Sequence, residues 1–450
     1  MILASVVATS LGSIALGPLL TSPRIADPIA AARPTDAPEP IVEEGIEGVD
    51  AGLVPASPIP ASPPPAPPIA VRPLVATIAG RPPARGGLTA TVAARRSLQA
   101  RLDQLRERYG VPGISVTILF PDGSSWVGVS GVAEVAARTP VTTSTAFAIA
   151  SVSKTFTAAL VLALAQEGAI ELDEPVLRYI PDLRINRRIT VRQLLDHTSG
   201  LRDYFFHPAI DRKLLTDPAR RWDSSDALKH VGKAYFKPGT GWHYSNTNYL
   251  VLGMLAEHVG KATLADQIRT RFLRPLGLRH TWYQPTEDAA ADGAHGYRFA
   301  SAGKNAPAID LSDGSRFMPF TSVVTAAAGA GGLASNSTDL ARWVRALYAG
   351  AVLAPESVDA MLGDISRTEP YKPRVPYGLG VQRLEIDGAP SLGHSGRLLG
   401  FRSAVRWLPD EDIAIAVLTN QSRTDPGIFV RALLKTARAQ AACVHCTSQR

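Results

Sequence analysis

A serine and a lysine three residues apart form the first pair in this chain whose types and spacing allow covalent chemistry. Ser151 and Lys154 follow the apolar run 147–150 and open a long Ala- and Leu-rich stretch. Positions i and i+3 share one face of a helix, so the two side chains can touch. A serine hydroxyl becomes a good nucleophile when a base takes its proton, and a buried lysine with a lowered pKa can be that base. The pair predicts a nucleophile at a helix N-terminus, where backbone N–H groups favour a developing oxyanion.

A second candidate group is the sequence Tyr244-Ser245-Asn246. In extended backbone, residues i and i+2 point to the same side, so Tyr244 and Asn246 can enter one cleft together. A phenol can relay a proton, and an amide can both donate and accept hydrogen bonds. The alternative interpretation is that Asn246 caps the apolar helix that follows it. Capping and catalysis are compatible, so the sequence leaves both open.

The third candidate group is His394-Ser395-Gly396, which lies between apolar segments late in the chain. A glycine at the edge of a strand lets another backbone approach closely, and a peptide-like substrate can pair along such an edge. Taken alone, a tripeptide of this composition is more often a turn. The order of the three groups and their separations along the chain make the combination specific.

With these three groups the chain resembles the serine penicillin-recognising enzymes, which include D-alanyl-D-alanine carboxypeptidases, class C β-lactamases and related esterases. The best-known signature of these enzymes joins Ser-x-x-Lys to a Lys-Thr-Gly motif. Here His394 stands where that second lysine would be, and Tyr244-x-Asn246 fills the middle position. This combination is most similar to the Streptomyces-type carboxypeptidases. The resemblance covers residues 95–425 and includes the segments 194–201 and 331–335.

The resemblance implies how the reaction would be divided among the matching residues. Ser151 would be the acylated nucleophile, and Lys154 and Tyr244 would transfer protons. The backbone N–H groups of Ser151 and Arg397 would form the oxyanion hole. The segment 194–201 contains Asp196 and His197, which suggest a Ser-His-Asp triad; in the family this segment is mainly structural, and we interpret it so.

The resemblance also implies a substrate-binding set, formed by Asn246, His394, Ser395, Gly396 and Arg397. Asn246 would hold the substrate amide, and His394 would lie near the substrate carboxylate. An exposed imidazole has a pKa of about 6.5. We therefore expect a substrate with a carboxylate to bind more tightly as the pH falls from 7.5 to about 5.5, because His394 then gains a positive charge.

Two classes of function remain open. The first is an exported serine hydrolase that works through an acyl-enzyme on a small peptide, ester or β-lactam. D-alanyl-D-alanine carboxypeptidase is the leading activity, with peptidoglycan as a candidate source of substrate and with esterase or β-lactamase as alternatives. The second class is a non-catalytic cell-envelope or penicillin-binding protein. The presence of Ser151, Lys154, Tyr244 and Asn246 together favours the enzyme, which would need no cofactor and no metal.

Hydrophobic periodicity predicts the elements that must position these residues. Helices are expected at 98–109, 151–167 and 428–439, and strands at 114–120, 126–129, 378–384, 403–408 and 413–418. Strands at both ends with helices between them predict an α+β fold. This fold would have one antiparallel sheet, built from both ends of the domain and flanked by helices, beside an all-helical region.

Composition divides the chain into a folded part and an N-terminal part. Of 36 prolines, 17 lie before residue 86, and the first aromatic residue is Tyr109. We interpret 1–32 as an export signal or apolar segment, 33–92 as a Pro/Ala-rich disordered linker and 93–435 as the hydrolase domain. The protein is therefore expected to be secreted or associated with the cell envelope, with an N-terminal membrane anchor as the variant of this interpretation.

The net charge and the cysteine content limit the partners that we expect. The net charge of +7 is spread out without a run of Lys or Arg, so nucleic acid is not expected as a partner. The cysteines, Cys443 and Cys446, fall in the segment 436–450, which we interpret as an exposed tail rather than a metal site. We expect a monomer.

Overall fold

The computed structural model describes residues 88–287, 293–299, 306–363, 366 and 376–448, with side chains as far as residue 440. The helices are α1 (Val92–Tyr109), α2 (Ser153–Gln166), α3 (Val191–Leu195), α4 (Pro208–Thr216), α5 (Ser224–Leu228), α6 (Asn246–Gly260), α7 (Leu264–Ile268), α8 (Arg274–Leu276), α9 (Thr321–Gly331), α10 (Ser337–Tyr348), α11 (Pro355–Gly363) and α12 (Gly427–Ser448). The strands are β1 (Gly113–Leu119), β2 (Ser125–Glu134), β3 (Thr139–Pro140), β4 (Phe147–Ala148), β5 (Thr281–Tyr283), β6 (Tyr297–Phe299), β7 (Ala308–Asp310), β8 (Leu333–Ser335), β9 (Gln382–Ile386), β10 (Ala389–Leu398), β11 (Phe401–Leu408) and β12 (Ile413–Thr419).

A seven-stranded antiparallel sheet joins the two ends of the domain. Its strand order is β3-β2-β1-β12-β11-β10-β9, so the first hairpin pairs directly with the last strand. The contact is in register from Ile114 opposite Thr419 to Leu119 opposite Ala414. The predicted α+β fold, with a sheet built from both ends, is confirmed.

Alternation along β1 explains how the sheet is covered on both faces. Ile114, Val116 and Ile118 lie in the apolar layer formed with α1 and α12. The intervening Ser115 and Thr117 point the other way, and each hydroxyl hydrogen-bonds to that of Ser337 at the start of α10, at 2.8 Å. The helical region lies on this second face, and its core includes α2, α6 and α9.

Three sequence predictions of element boundaries differ from the structure. The strand expected at 378–384 begins only at Gln382, because Gly380 takes a φ of +81° that ends extended pairing. The last helix does not end near 439 but continues to Ser448, so residues 436–448 of the predicted tail, which include Cys443 and Cys446, are helical in backbone. Of the N-terminal segments, the export signal at 1–32 and the linker up to residue 87 lie outside the described residues.

Residues 88–91 belong to the folded domain although they were predicted as linker. Leu88 and Ala90 pack against the apolar layer beneath α1. The Ala90 N–H donates to the Ser124 hydroxyl at 3.0 Å, and the Thr91 hydroxyl caps α1 by accepting from the Ala94 N–H. Within the described ranges, none of the helices combines the length and the apolar character of a bilayer span.

Candidate active site

Ser151 lies in a tight turn between a buried strand and a buried helix. β4 ends at Ala148, the 3₁₀ turn Ala150–Val152 follows, and α2 begins at Ser153. Ala150 takes a left-handed φ of +50°, which costs an L-residue on the order of 1 kcal/mol and turns the chain sharply just before the serine. The sequence predicted Ser151 as the first residue of the helix. It is instead in the 3₁₀ turn, where side chains at i and i+3 eclipse, so the predicted approach of Lys154 is retained.

Lys154 is fully buried and makes three polar contacts. Its Nζ lies 3.2 Å from the Ser151 Oγ, 2.8 Å from the Asn246 Oδ1 and 2.7 Å from the Ala330 carbonyl oxygen. Burial lowers the pKa of this lysine to about 7, against the opposing influence of the Asp203 carboxylate. A neutral amine has two N–H groups and one lone pair. With both N–H groups given to Asn246 and Ala330, the lone pair faces the Ser151 hydroxyl.

The Ala330 carbonyl reaches Lys154 because α9 is kinked. At Ala328 the backbone has φ +40° and ψ −130°, so the segment that follows turns away from the helix axis. The neighbouring Gly329 carbonyl accepts a hydrogen bond from the Thr157 hydroxyl of α2 at 2.8 Å. Two successive carbonyls of α9 thus hold the helix that carries Lys154.

Tyr244 and Asn246 flank one extended residue, Ser245, and their side chains point into the same site. Ser245 has φ −144° and ψ 123° and occupies the position before α6, so the alternative in which Asn246 caps this helix is wrong. Nζ of Lys154 lies 5.0 Å from the centre of the Tyr244 ring. Burial raises the pKa of the Tyr244 phenol, which keeps it protonated, and the nearby Ser151 hydroxyl opposes the rise. The phenol oxygen is buried and makes no hydrogen bond of ordinary geometry within the described residues.

Asp203 was not singled out from the sequence, yet it binds Asn246 twice. Its Oδ2 accepts from the Asn246 side-chain Nδ2 at 2.7 Å and from the Asn246 backbone N–H at 3.1 Å. Its Oδ1 accepts from the Phe205 N–H at 3.0 Å. The only signal in the sequence was an acidic residue shortly after the segment 194–201, and such a residue is usually on the surface.

His197 packs against the segment that carries Tyr244 and Asn246. Its Nδ1 accepts from the Ser245 N–H at 3.2 Å and from the Asn248 amide at 3.0 Å, and its ring lies 4.4 Å from that of Tyr244. Asp196 accepts from the backbone and hydroxyl of Thr198. Among the described residues, the contacts of Asp196 and His197 are thus with neighbouring backbone and polar side chains, and neither side chain hydrogen-bonds to Ser151.

His394 lies on β10 but is not the titrating, solvent-facing group that the sequence suggested. Its side chain is 1% exposed, its Nδ1–H donates to the Ser395 carbonyl at 2.7 Å, and its Nε2 accepts from the Tyr377 hydroxyl at 2.9 Å. Burial, and then the charge of Lys154, lower the pKa of this imidazole to about 3. The gain of positive charge expected between pH 7.5 and 5.5 is therefore wrong, because burial and the charge of Lys154 both favour the neutral imidazole.

Gly396 is the point at which β10 meets the nucleophile turn. A Cβ at this position would lie 2.3 Å from the Ile149 carbonyl oxygen and 3.1 Å from the Ala150 Cβ. The same Ile149 carbonyl accepts from the Ser403 hydroxyl at 2.7 Å. The sequence predicted a glycine that lets another backbone approach, and the backbone that approaches here is the one that carries Ser151.

The direction of the Arg397 N–H follows from the ladder between β10 and β11. Ser395 is opposite Ala404 and Arg397 is opposite Arg402. The Ser395 N–H donates to the Gln382 side chain, on the side away from β11. Hydrogen-bonded and non-hydrogen-bonded pairs alternate along an antiparallel ladder, so the Arg397 N–H points to that side too, beside the nucleophile turn. This is the direction that the predicted oxyanion hole needs.

Three donors next to His394 converge on one oxygen. The Gln382 Oε1 accepts from the Ser395 N–H at 3.0 Å, the Ser395 hydroxyl at 3.2 Å and the Arg406 Nη2 at 2.8 Å. Arg406 is 4% exposed, burial lowers its pKa to about 10, and its Nη1 has no hydrogen-bond partner among the described residues. Neither Gln382 nor Arg406 was predicted from the sequence, because no local pattern marks a strand residue as a buried cation.

The site geometry agrees with comparisons to known proteins. The family model described as Beta-lactamase matches residues 98–439. The chain belongs to this family. Penicillin-binding protein 4 of Amycolatopsis lactamdurans is 30% identical over 333 residues, which cover 72% of this chain and 84% of that protein. Penicillin-binding protein 4* of Bacillus subtilis is 26% identical over 354 residues, 76% of this chain and 75% of that protein.

A solved structure extends the similarity to the fold. D-amino acid amidase from Ochrobactrum anthropi SV3, crystallised with D-phenylalanine, aligns with a TM-score of 0.67 and 25% identity, covering 77% of this chain and 99% of that one. The resemblance to serine penicillin-recognising enzymes is therefore confirmed. Within the described ranges, the His, Cys, Asp and Glu side chains form no group of three or more that could hold a metal ion.

Proposed function

We propose that this protein is an exported serine hydrolase that forms an acyl-enzyme at Ser151 and acts on peptides ending in D-amino acids, as D-alanyl-D-alanine carboxypeptidases do. The observation that carries the proposal is the contact set of Lys154. Its lone pair faces Ser151, and its pKa of about 7 leaves a large neutral fraction near neutral pH. Membership of a family with penicillin-binding proteins and a D-amino acid amidase supports this reaction class.

The chemistry follows from the positions of these groups. Neutral Lys154 takes the Ser151 proton as Oγ bonds to the substrate carbonyl carbon, and the carbonyl π electrons move onto oxygen. The N–H groups of Ser151 and Arg397 bind this oxyanion. When the C–N bond breaks, the electron pair leaves with the amine, which receives a proton relayed from Lys154 through the Tyr244 hydroxyl. Lys154, now neutral again, takes a proton from water as the water oxygen bonds to the ester carbonyl carbon. The bond from that carbon to the Ser151 Oγ then breaks, and Lys154 returns the proton to Oγ.

The donors around Gln382 support a substrate that carries a free carboxylate. The Ser395 N–H, the Ser395 hydroxyl and Arg406 all point at one amide oxygen. Gln382 is only half-buried, so a rotation of its side chain would release these donors to a carboxylate oxygen. In this proposal Arg406 supplies the positive charge that the sequence had assigned to His394.

A panel of matched substrates tests the proposal. We expect a peptide ending in D-Ala-D-Ala to have a higher kcat/KM than its C-terminal amide, D-phenylalanine amide, a p-nitrophenyl ester or nitrocefin. Ser151→Ala should lower kcat at least about 10³-fold for every substrate that the wild-type protein hydrolyses. The exposed Ser225, changed to Ala, is the matched control and should leave the rates unchanged.

The Arg406 assignment is tested with the two peptides that differ only at the C-terminus. Arg406→Gln should raise KM for the free carboxylate by about tenfold or more and leave KM for the amide nearly unchanged, because a charged hydrogen bond contributes about 1.5–3 kcal/mol. Equal effects on both peptides would show that the substrate carboxylate does not bind at Arg406. A preference for D-amino acid amides over the peptide would instead assign the protein to amide hydrolysis.

A further inference from the structure

We infer that Asp203 is a positioning residue for acylation, because its buried carboxylate holds the Asn246 amide in the one orientation that presents its oxygen to Lys154. The inference rests on the proposed function in taking Lys154 as the base for Ser151. Among the described residues, Asp203 hydrogen-bonds to neither Ser151 nor the predicted oxyanion hole, and it acts through Asn246. No role in the reaction follows for it from the three sequence motifs.

The hydrogen bonds determine the ionisation of Asp203. The carboxylate is 2% exposed and receives three N–H donors, two from Asn246 and one from Phe205. N–H donors to both oxygens stabilise the ionised form of a carboxyl group, so these three contacts favour a charged Asp203. Burial raises the pKa of Asp203, and these hydrogen bonds, with Lys154, oppose the rise.

An ionised carboxylate can only accept, and this decides which way the Asn246 amide points. The Nδ2 group must face Asp203, at 2.7 Å, so the Oδ1 must face Lys154, at 2.8 Å. If the amide turned over, its oxygen would oppose the Asp203 carboxylate and its N–H groups would face the lysine. The carboxylate therefore excludes the turned-over amide.

The orientation of Asn246 controls where the lone pair of neutral Lys154 points. In the observed orientation, Asn246 and Ala330 accept both N–H groups of the amine, so the lone pair is directed at Ser151. In the opposite orientation, an N–H of Asn246 would donate to that lone pair and leave it unable to accept the Ser151 proton. Asp203 thus keeps the base available to the nucleophile.

Asp203 also supplies the negative charge that Lys154 experiences. In the part of the chain that the structure describes, the ionisable groups that face Lys154 are Asp203, His197, His394, Tyr244 and Tyr249. Burial keeps the two imidazoles and the two phenols neutral. Loss of the Asp203 charge would therefore lower the pKa of Lys154, because burial would be left unopposed.

Two variants separate the charge of Asp203 from its orienting contact. In Asp203→Asn, the new amide oxygen can still accept from Asn246, so the charge is lost and the orientation is kept. In Asp203→Leu, the acceptor is lost as well. The matched control is Asp339→Asn, a carboxylate 3% exposed that accepts from the His280 N–H and the Thr281 hydroxyl.

Two measurements on the full chain distinguish the loss of charge from the loss of the orienting contact. The first is the pH midpoint of the Lys154 ¹³Cε shift in ¹³C-lysine-labelled protein, assigned with Lys154→Arg. The second is the pH dependence of Ser151 labelling by a fluorophosphonate. Asp203→Asn should lower both midpoints by about 1 pH unit or more and keep most of the plateau rate. Asp203→Leu should lower the plateau labelling rate by about 100-fold, and Asp339→Asn should leave both readouts at the wild-type values.

The outcomes distinguish this inference from the proposed function. An unmoved Lys154 midpoint in Asp203→Asn, or a wild-type plateau in Asp203→Leu, overturns the role of Asp203. If Asp203→Leu does not fold, the midpoint in Asp203→Asn decides. A wild-type protein in which Lys154 titrates near 7 but Ser151 reacts with no acylating reagent contradicts the proposed function instead, because the ¹³C titration requires no substrate.

Discussion

Lys154 should make the fold less stable at neutral pH than at alkaline pH, and Lys154→Met measures by how much. The side chain is 0% exposed, and burial lowers its pKa from 10.5 to about 7. A difference of 3.5 units at ~1.4 kcal/mol each corresponds to about 5 kcal/mol of unfolding free energy. Below pH 7 this entire cost is present, because the lysine is protonated in both states but buried in only one.

The sign of the pH dependence follows from proton uptake. Between pH 7 and 10.5 the unfolded chain holds the Lys154 proton and the folded chain has released it. Stability therefore rises with pH across this window, at up to about 1.4 kcal/mol per unit. Methionine has nearly the same length and does not titrate. The substitution removes the hydrogen bonds that Lys154 donates to Asn246 and Ala330, which lowers the unfolding free energy by about 1–3 kcal/mol per acceptor. That loss does not depend on pH.

Urea denaturation of both proteins at about pH 7.5, 8.5 and 9.5 isolates this contribution. Groups that titrate in both proteins cancel in the difference between them. We expect the unfolding free energy of the wild type to gain about 2–3 kcal/mol on that of Lys154→Met from the lowest pH to the highest. Parallel stability curves would refute the reasoning, since they would mean that Lys154 keeps an ordinary pKa in the folded protein.

Two further predictions concern the backbone around the site and the start of the domain. Gly396→Ala should lower kcat/KM by about 100-fold, because its Cβ would lie 2.3 Å from the Ile149 carbonyl and displace the nucleophile turn. Gly363→Ala, which meets nothing within 4 Å, is the control, and equal activity of the two variants would contradict this placement of the turn. A chain that begins at Leu88 should keep the specific activity and melting temperature of the full chain. One that begins at Leu98 loses the Thr91 cap and should melt several degrees lower, whereas identical melting would show that residues 88–97 contribute nothing.

Local geometry allowed part of the site to be predicted from the sequence. Ser151 and Lys154 are three residues apart in a helical turn, so their contact needs nothing beyond the turn itself. Tyr244 and Asn246 bracket one extended residue, and this alone sends both side chains to the same cleft. The sheet followed from short, mainly apolar runs at the two ends of the domain, because its central strands β1 and β12 are buried on both faces.

The rest of the site depends on contacts between distant segments. Asp203 is 43 residues from Asn246, and its burial results from the packing of the loop before α4 against α6. His394 has the same side chain whether it is exposed or buried, and its charge is decided by burial and by the neighbouring Lys154, both of which depend on the tertiary structure. The start of β9 was misplaced for a related reason: Gly380 has a φ of +81°, and a Cβ there would meet Ala158 and Tyr249, which are distant in the sequence.

The replacement of a lysine by His394 has an electrostatic consequence for the whole site. Lys154 already lowers the pKa of the His394 imidazole, so the two side chains lie close enough to interact. A permanently charged ammonium at position 394 would repel the Lys154 ammonium and lower its pKa further. A neutral imidazole removes that repulsion, so burial and Asp203 are left to set the pKa of Lys154 near 7. In the proposed function the positive charge for a substrate carboxylate comes instead from Arg406 on the neighbouring strand, which together with Ser395 now donates to Gln382. Among the described residues of the site, Lys154 is consequently the group whose ionisation changes near neutral pH, and the acid limb of acylation should follow the loss of a single proton.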